Sequence, residues 1–359
     1  MAGIVGYGAW IPYMRIKVDE IHRVWRNIAL SRIKDVLKLA ERAVLQPNED
    51  TITLAVGAAQ RALEHAGTEH SRIGAAFLGT CTNPYDSRPS VTVVSEALGL
   101  PYGIISADLQ FAGKSGTTAM QVCLALVRSG MADMALAIGA DTINRHTCPG
   151  RMAEYASSAG AAAFVLGRDQ VIAEIRGTAS FASDLSDSFR VEGERYIQDI
   201  GDGGKLYPAF EIGMVEHVTR AADALSGQIG LGAKDYDYVV FQQPYGVIPY
   251  VLGERLGFSE EQIAPGAIAT EIGDCGAASA LLGIANVLDN ATAGQKILMV
   301  SYGFGAGADA MSLETTPLIE RKRPRSPISR LLANKSVVDY ATATRLEYKY
   351  AQDTSPLYL

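Results

Sequence analysis

The sequence has few cysteines and none spaced for pairing. Cys81, Cys123, Cys148 and Cys275 are scattered with no C-x-x-C pattern, so neither a zinc ribbon nor a disulfide framework organises the chain. Reduced thiols are the expectation, with no metal and no cofactor on this chain. Long uncharged apolar runs are lacking as well, and no stretch reaches the ~18 residues that suggest a membrane span. The opening Met1-Ala-Gly-Ile-Val-Gly-Tyr-Gly does not have the cationic-then-apolar layout of a secretory signal. A cytoplasmic protein without a membrane partner is expected. A basic excess is also missing: the formal net charge is −7, which argues against a nucleic-acid partner.

What is present is a long, ordinary globular composition with an internal repeat. The 359 residues, 48% hydrophobic and 20% charged, can bury one large core or two fused ones. Two stretches offset by roughly 160 residues share one order of parts. In the first, 75–79 is an apolar strand, Asn83-Pro-Tyr85 lies in a polar loop, and 90–97 is a helix closing on Leu98-Gly-Leu100. In the second, 238–241 is the strand, Gln242-Gln-Pro-Tyr-Gly246 the loop, and 248–255 the helix closing on Leu256-Gly-Phe258. Downstream, a small-residue turn and helix over 113–127 precedes the strand 134–139, and 276–288 precedes 296–302. Apolar strands alternating with helices predict an α/β protein with parallel sheets covered on both faces. Helices this rich in Ala, Gly and Ser suit burial between layers. The halves divide at 1–170 and 171–359.

Other segments carry weaker signals. The polar, Gly-rich stretch 181–211, centred on Asp202-Gly-Gly-Lys205, reads as a surface excursion. The basic run 320–327 reads as a solvated linker, 336–349 as a late strand and 350–359 as a tail. His22, His65, His70, His146 and His217 lie in contexts that look exposed. Gly113-Lys-Ser115 is not a phosphate loop, because the pattern needs a glycine where Asp108 stands. Gly303-Phe-Gly-Ala-Gly307 is too short for a dinucleotide fingerprint.

Several motifs together carry a family resemblance: Gly3-Ile-Val-Gly-Tyr-Gly-Ala-Trp-Ile-Pro12, Leu136-Ala-Ile-Gly-Ala-Asp141, Phe241-Gln-Gln-Pro244 and Tyr302-Gly-Phe-Gly-Ala-Gly307. The chain resembles the thiolase superfamily, and within it the archaeal-type hydroxymethylglutaryl-CoA synthases. That resemblance implies a thiolase fold, two pseudo-symmetric α/β halves in an α-β-α-β-α layering. A narrower resemblance, carried by Cys81-Thr-Asn-Pro-Tyr-Asp-Ser-Arg88, Phe111-Ala-Gly-Lys-Ser-Gly116 and Gly139-Ala-Asp-Thr-Ile-Asn-Arg145, is to the synthase-like subunits of bacterial multicomponent acyltransferases that make 2,4-diacetylphloroglucinol.

The resemblance places the family's nucleophilic cysteine on Gly113 and the histidine of its His-Gln-Pro loop on Gln242. It places the asparagine that follows Ile-Gly on Asp274, and the acid/base glutamate on Cys81. All four are replaced. Acyl transfer needs a thiolate, a base and oxyanion donors. Gly113 cannot attack, Gln242 cannot exchange a proton near neutrality, and Asp274 is expected to bring negative charge where an oxyanion needs stabilising. A relocated nucleophile would be Cys81 or Cys275, although free cysteine is among the most buried residue types; Ser115 lacks an identifiable base. The resulting expectation is a non-catalytic, homodimeric subunit. It would stand beside a catalytic thiolase-like subunit and a small oligonucleotide-fold zinc protein, with acylphloroglucinol-type phenols as acceptors. The alternatives are an active acyl-CoA condensing enzyme using Cys81 or Cys275, and a module that binds coenzyme A without reacting.

Overall fold

The computed structural model describes residues 1–199 and 210–350. Its strands are β1 Gly3–Trp10, β2 Met14–Lys17, β3 Glu41–Val44, β4 Ile73–Gly79, β5 Ile105–Leu109, β6 Met134–Thr142, β7 Ala159–Gly167, β8 Ala173–Ala182, β9 Ser188–Phe189, β10 Gln198–Asp199, β11 Tyr238–Phe241, β12 Lys296–Gly303, β13 Gly307–Thr315 and β14 Ser336–Val337. Nine of them form one sheet in the order β11-β12-β13-β8-β1-β7-β6-β4-β5.

The repeat is visible in the pairing. In the first half β4 runs parallel to β6, β6 antiparallel to β7, and β7 antiparallel to β1. In the second, β11 runs parallel to β12, β12 antiparallel to β13, and β13 antiparallel to β8. The halves meet where β1 and β8 pair through Gly3 with Glu174 and Ile4 with Ala173. The expectation of parallel sheets is therefore corrected. The sheet is mixed, because β7 and β13 return beside their predecessors without an α-helical crossover.

Period-two alternation sorts the strand side chains into layers. Ala76, Leu78, Leu136 and Ile138 pack with the helix Thr51–Ala66 on one outer face. Val239, Phe241, Leu298 and Val300 pack with the helix Glu216–Ile229 on the other half's outer face. Their alternates Ala75, Phe77, Ala135, Ala137, Val240, Ile297 and Met299 share a central cluster with the helices Ser115–Ser129 and Ser279–Asn290. Small residues allow that central approach: a Cβ on Gly116 would lie 2.4 Å from the Ala277 carbonyl oxygen.

Three peripheral expectations are corrected. The run 320–327 is a tied strap, with Lys322 donating to the Val5 and Ala66 carbonyls at 3.0 and 2.7 Å. Arg323 donates to the Leu288 and Ala291 carbonyls. These cations meet the carbonyl ends of two helices, where positive charge is favoured. Only Ser336–Val337 is strand in the supposed late strand. Asp339 then caps a helix, Tyr340–Leu346, by accepting from the Thr342 N–H at 2.7 Å. His65 and His217 are buried. The centre of the 181–211 stretch and residues 351–359 lie outside the described residues.

Candidate functional site

A cavity of about 550 Å³ opens beyond the carboxyl ends of β4, β5, β11 and β12, the usual ligand position in sheets of this kind. Gly113, Gln242, Asp274 and Cys81 all line it, whereas Cys275 does not. The lining also includes Asp187, Phe189 and Arg190. The 181–211 stretch, read as a surface excursion, is thus in its described part a wall of the site.

Gly113 sits in a tight turn, Ala112–Lys114, that leads into the helix Ser115–Ser129. Ala112 takes a left-handed φ of 42°, an unusual and strained conformation for a residue with a Cβ. A Cβ added at Gly113 would meet the Tyr302 carbonyl oxygen at 2.5 Å and the Gln242 Nε2 at 2.6 Å, closer than side chains tolerate. The Gln242 carboxamide, anchored by Nε2 donating to the Gly276 carbonyl at 2.9 Å, occupies the space into which a residue-113 side chain would grow. Gln242 Oε1 is buried without a hydrogen-bond partner. Its neighbour Gln243 is fully employed in the fold, donating to the Gly266 carbonyl and accepting from the Ile268 and Ala269 N–H groups.

Asp141 organises the wall around Cys81. One carboxylate oxygen accepts from the Thr80 and Thr82 hydroxyls, both at 2.7 Å, and from the Cys81 and Thr82 N–H groups. The other accepts from the Ala277 N–H at 2.7 Å and from the Cys81 thiol at 3.3 Å. Burial and the adjacent Asp141 push the Cys81 pKa well up, so the thiol keeps its proton. Cys275 is completely buried with its sulfur toward the Ala159 carbonyl, and burial pushes its pKa up to about 12. Cys123 is raised by burial too. None of these three has the electropositive, part-exposed setting of a nucleophile.

Asp274 lies in a setting that disfavours its charged form. Its carboxyl accepts from the Gly276 N–H at 2.9 Å. Burial, and then the nearby Asp141, raise its pKa to about 7. Burial and like charge therefore work against the negative charge expected at this position near neutral pH.

No histidine completes the site. His217 has one ring nitrogen at 2.7 Å from the Ser183 hydroxyl and the other at 2.7 Å from the Gly213 carbonyl. His65 accepts from the Tyr7 N–H and meets the Lys322 carbonyl. Ser115 donates to the Ala112 carbonyl at 2.8 Å. The loop after β12 gives its Gly305 N–H to Asp187 at 2.7 Å, and Asp187 also accepts from the Tyr302 hydroxyl. That N–H is therefore committed to the cavity wall. Sequence reasoning assigned no role to Asp141 or Asp187. A lone acid ending the uncharged strand β6 was a readable signal for the first; the polar stretch gave none for the second.

Residues 227–315 match the family model described as 3-oxoacyl-[acyl-carrier-protein] synthase III C terminal. The chain is 42% identical over 352 residues to the hydroxymethylglutaryl-CoA synthase of Methanocaldococcus jannaschii, covering 97% of this chain and 99% of that one. It is 42% identical to the synthase of Archaeoglobus fulgidus, covering 95% and 97% respectively. In fold it is similar to MvaS in complex with 3-hydroxy-3-methylglutaryl coenzyme A, with a TM-score of 0.87, 21% identity and coverage of 99% and 94%. A hydroxymethylglutaryl-CoA synthase complexed with CoA gives a TM-score of 0.87 at 18% identity, covering 98% and 91%. With a thiolase fold, and relatives this similar over nearly its whole length, the chain belongs to the hydroxymethylglutaryl-CoA synthase family of the thiolase superfamily.

Proposed function

We propose that this family member serves thioester condensing or acyl-transfer chemistry by holding an acyl thioester in its cavity without forming a covalent acyl-enzyme at residue 113. The observation that carries the reading is the Gln242 carboxamide standing where a side chain on Gly113 would extend. The cavity is present, while burial and Asp141 favour the protonated thiol of Cys81 on its wall. Intact-protein mass spectrometry after exposure to acetyl-CoA tests it: no acetyl adduct is expected, and a stoichiometric one overturns the reading.

A second reading, a condensing enzyme in its own right, is favoured by the identity to proteins named as synthases. Its candidate nucleophile is Cys81, which lines the cavity. An adduct that disappears in Cys81→Ser would establish it.

The finer proposal rests on the narrower residue resemblance, since the relatives above are synthases by name. In it the chain is the non-catalytic subunit of a C-acyltransferase acting on acylphloroglucinol-type phenols in the cytoplasm. A thiolase-like partner supplies the nucleophilic cysteine, and a small oligonucleotide-fold protein carries zinc. The homodimer fits the sheet edge at β5, whose described residues pair with β4 alone. Co-expression and size-exclusion chromatography with the two partners checks the assembly.

A further inference from the structure

A second cleft, of about 200 Å³, shares no lining residue with the main cavity. The helix Thr51–Ala66 supplies Arg61 and Glu64 to its wall, and the strap 320–327 supplies Arg321, Lys322, Arg323 and Arg325. Five cations thus face one carboxylate, on a chain whose net charge is −7. Among the described residues no carboxylate lies within salt-bridge distance of any of the five. Lys322 donates to the Val5 and Ala66 carbonyls, and Arg323 to those of Leu288, Asp289 and Ala291, so neutral acceptors pin both. The Asp289 carboxylate accepts from the Tyr7 hydroxyl and the Ile328 N–H. Arg61 is fixed as well, donating to the Ala9 carbonyl at 2.6 Å with its guanidinium 4.4 Å from the Trp10 ring centre. Arg330 adds a further positive charge beside it. Arg321 and Arg325 are exposed and have no hydrogen-bond or ion-pair partner among the described residues. Like charges gathered in this way repel one another, and an anion between them relieves the repulsion.

We infer that this cleft is a binding site for a phosphoryl or diphosphoryl group, gripped by Arg61, Arg321 and Arg325, with Lys322 and Arg323 contributing charge. The site stands apart from the thioester reading of the main cavity. Each guanidinium presents paired N–H donors that match two oxygens of one anion. Three such forks, brought from a helix and from the strap, suit a compact group with several oxygens on one centre. A single carboxylate engages one fork and leaves two without an acceptor. An extended acidic peptide needs a longer groove than a cleft of this volume. Glu64 is exposed and opposes the anion. Because the strap follows β13 of the second half and is tied to β1 and the helix Thr51–Ala66 of the first, a bound anion also fastens one half to the other.

The test is calorimetric titration of the full chain with inorganic diphosphate, in a phosphate-free buffer of low ionic strength where charge is least screened. Saturable binding is expected, weakened at least about tenfold in Arg321→Gln/Arg325→Gln by the loss of charge-assisted bonds. Arg220→Gln/Arg255→Gln removes the same charge from the helices Glu216–Ile229 and Ile248–Leu256, and should leave the affinity unchanged. Diphosphate should also raise the melting temperature of the wild type and not that of the first variant. Equal weakening in both variants shows only diffuse attraction to surface charge and overturns the assignment. Unchanged affinity in Arg321→Gln/Arg325→Gln overturns it too, by putting the anion elsewhere, as beside Arg151 and Arg190 of the main cavity. So does an absence of diphosphate binding at millimolar concentration, including the case in which an oligoglutamate peptide binds through the same arginines. If the double variant melts below the wild type without ligand, the single Arg325→Gln takes its place, with the same direction expected.

Discussion

Two turns of the molecule share one design and have opposite fates. Ala112–Lys114 leads into the helix Ser115–Ser129, and Gly276–Ala278 leads into Ser279–Asn290. Each opens on a left-handed residue, Ala112 at 42° and Gly276 at 56°, and each continues through a serine. In the second turn the Ala277 N–H is taken by the Asp141 carboxylate from the first half, which seals the helix end with negative charge. The first turn faces the cavity, and what fills it is Gln242 from the second half. A charged acceptor closes one helix end; a neutral carboxamide occupies the other. Both turns reach the cavity, through Gly113 and Gly276, and they differ in the side chain that each receives from across the pseudo-symmetric interface.

That contrast can be broken at the sealed turn first. Asp141→Ala leaves the Thr80 and Thr82 hydroxyls and the Cys81, Thr82 and Ala277 N–H groups without their acceptor, and should cost at least ~3 kcal/mol of stability, since each buried unpaired group costs ~1–3 kcal/mol. Urea denaturation measures it. The next largest effect belongs to Asp274. Its folded pKa lies above its unfolded value, so the folded state holds the extra proton between about pH 4 and 7. Wild-type stability relative to Asp274→Asn should therefore fall as pH rises through that window, by about 1.4 kcal/mol for each unit of upward shift, and be flat above it. Thermal melts of the two proteins across that range read the slope.

Refilling the open turn is a smaller perturbation. Gly113→Cys should cost ~1–3 kcal/mol through overpacking and gain no acetyl adduct, because the new Cβ presses on Gln242 and the Tyr302 carbonyl. Adding Gln242→Ala should recover part of that loss, which a double-mutant cycle would report as coupling. The smallest changes sharpen the likeness. Ser115→Ala removes a bond to the Ala112 carbonyl and Ser279→Ala removes an acceptor for the Gln243 N–H. Each should cost ~1 kcal/mol by chemical denaturation, with no difference between halves.

Much of this architecture was legible because it is local. The strands at 238–241 and 134–142, the helix Ser90–Ala97 and both small-residue helices follow from apolar runs, turn residues and a repeat that doubles every signal. The misreadings of buried polar side chains share one cause. His65, His217, Lys322 and Arg323 look solvated in a linear reading because each is flanked by polar or charged residues. His65, Lys322 and Arg323 are held instead by carbonyls contributed from remote parts of the chain, and His217 by the Ser183 hydroxyl and the Gly213 carbonyl one turn before it. The helix Tyr340–Leu346 was hidden by alternation over a stretch too short to separate two periods, and its cap at Asp339 was the clearer signal.

Side-chain identity alone established that no residue at 113 can attack an acyl group, because glycine has nothing to attack with, and the spacing of apolar residues established the repeated α/β scaffold. Packing settled what neither composition nor motif contained. It sends β7 and β13 back antiparallel, carries Gln242 into the space beside Gly113, and places Asp274 next to Asp141 so that burial and like charge raise the proton affinity of its carboxyl. The proton affinity of a side chain and the space beside a glycine are properties of neighbours, and those neighbours come from the opposite half of the chain.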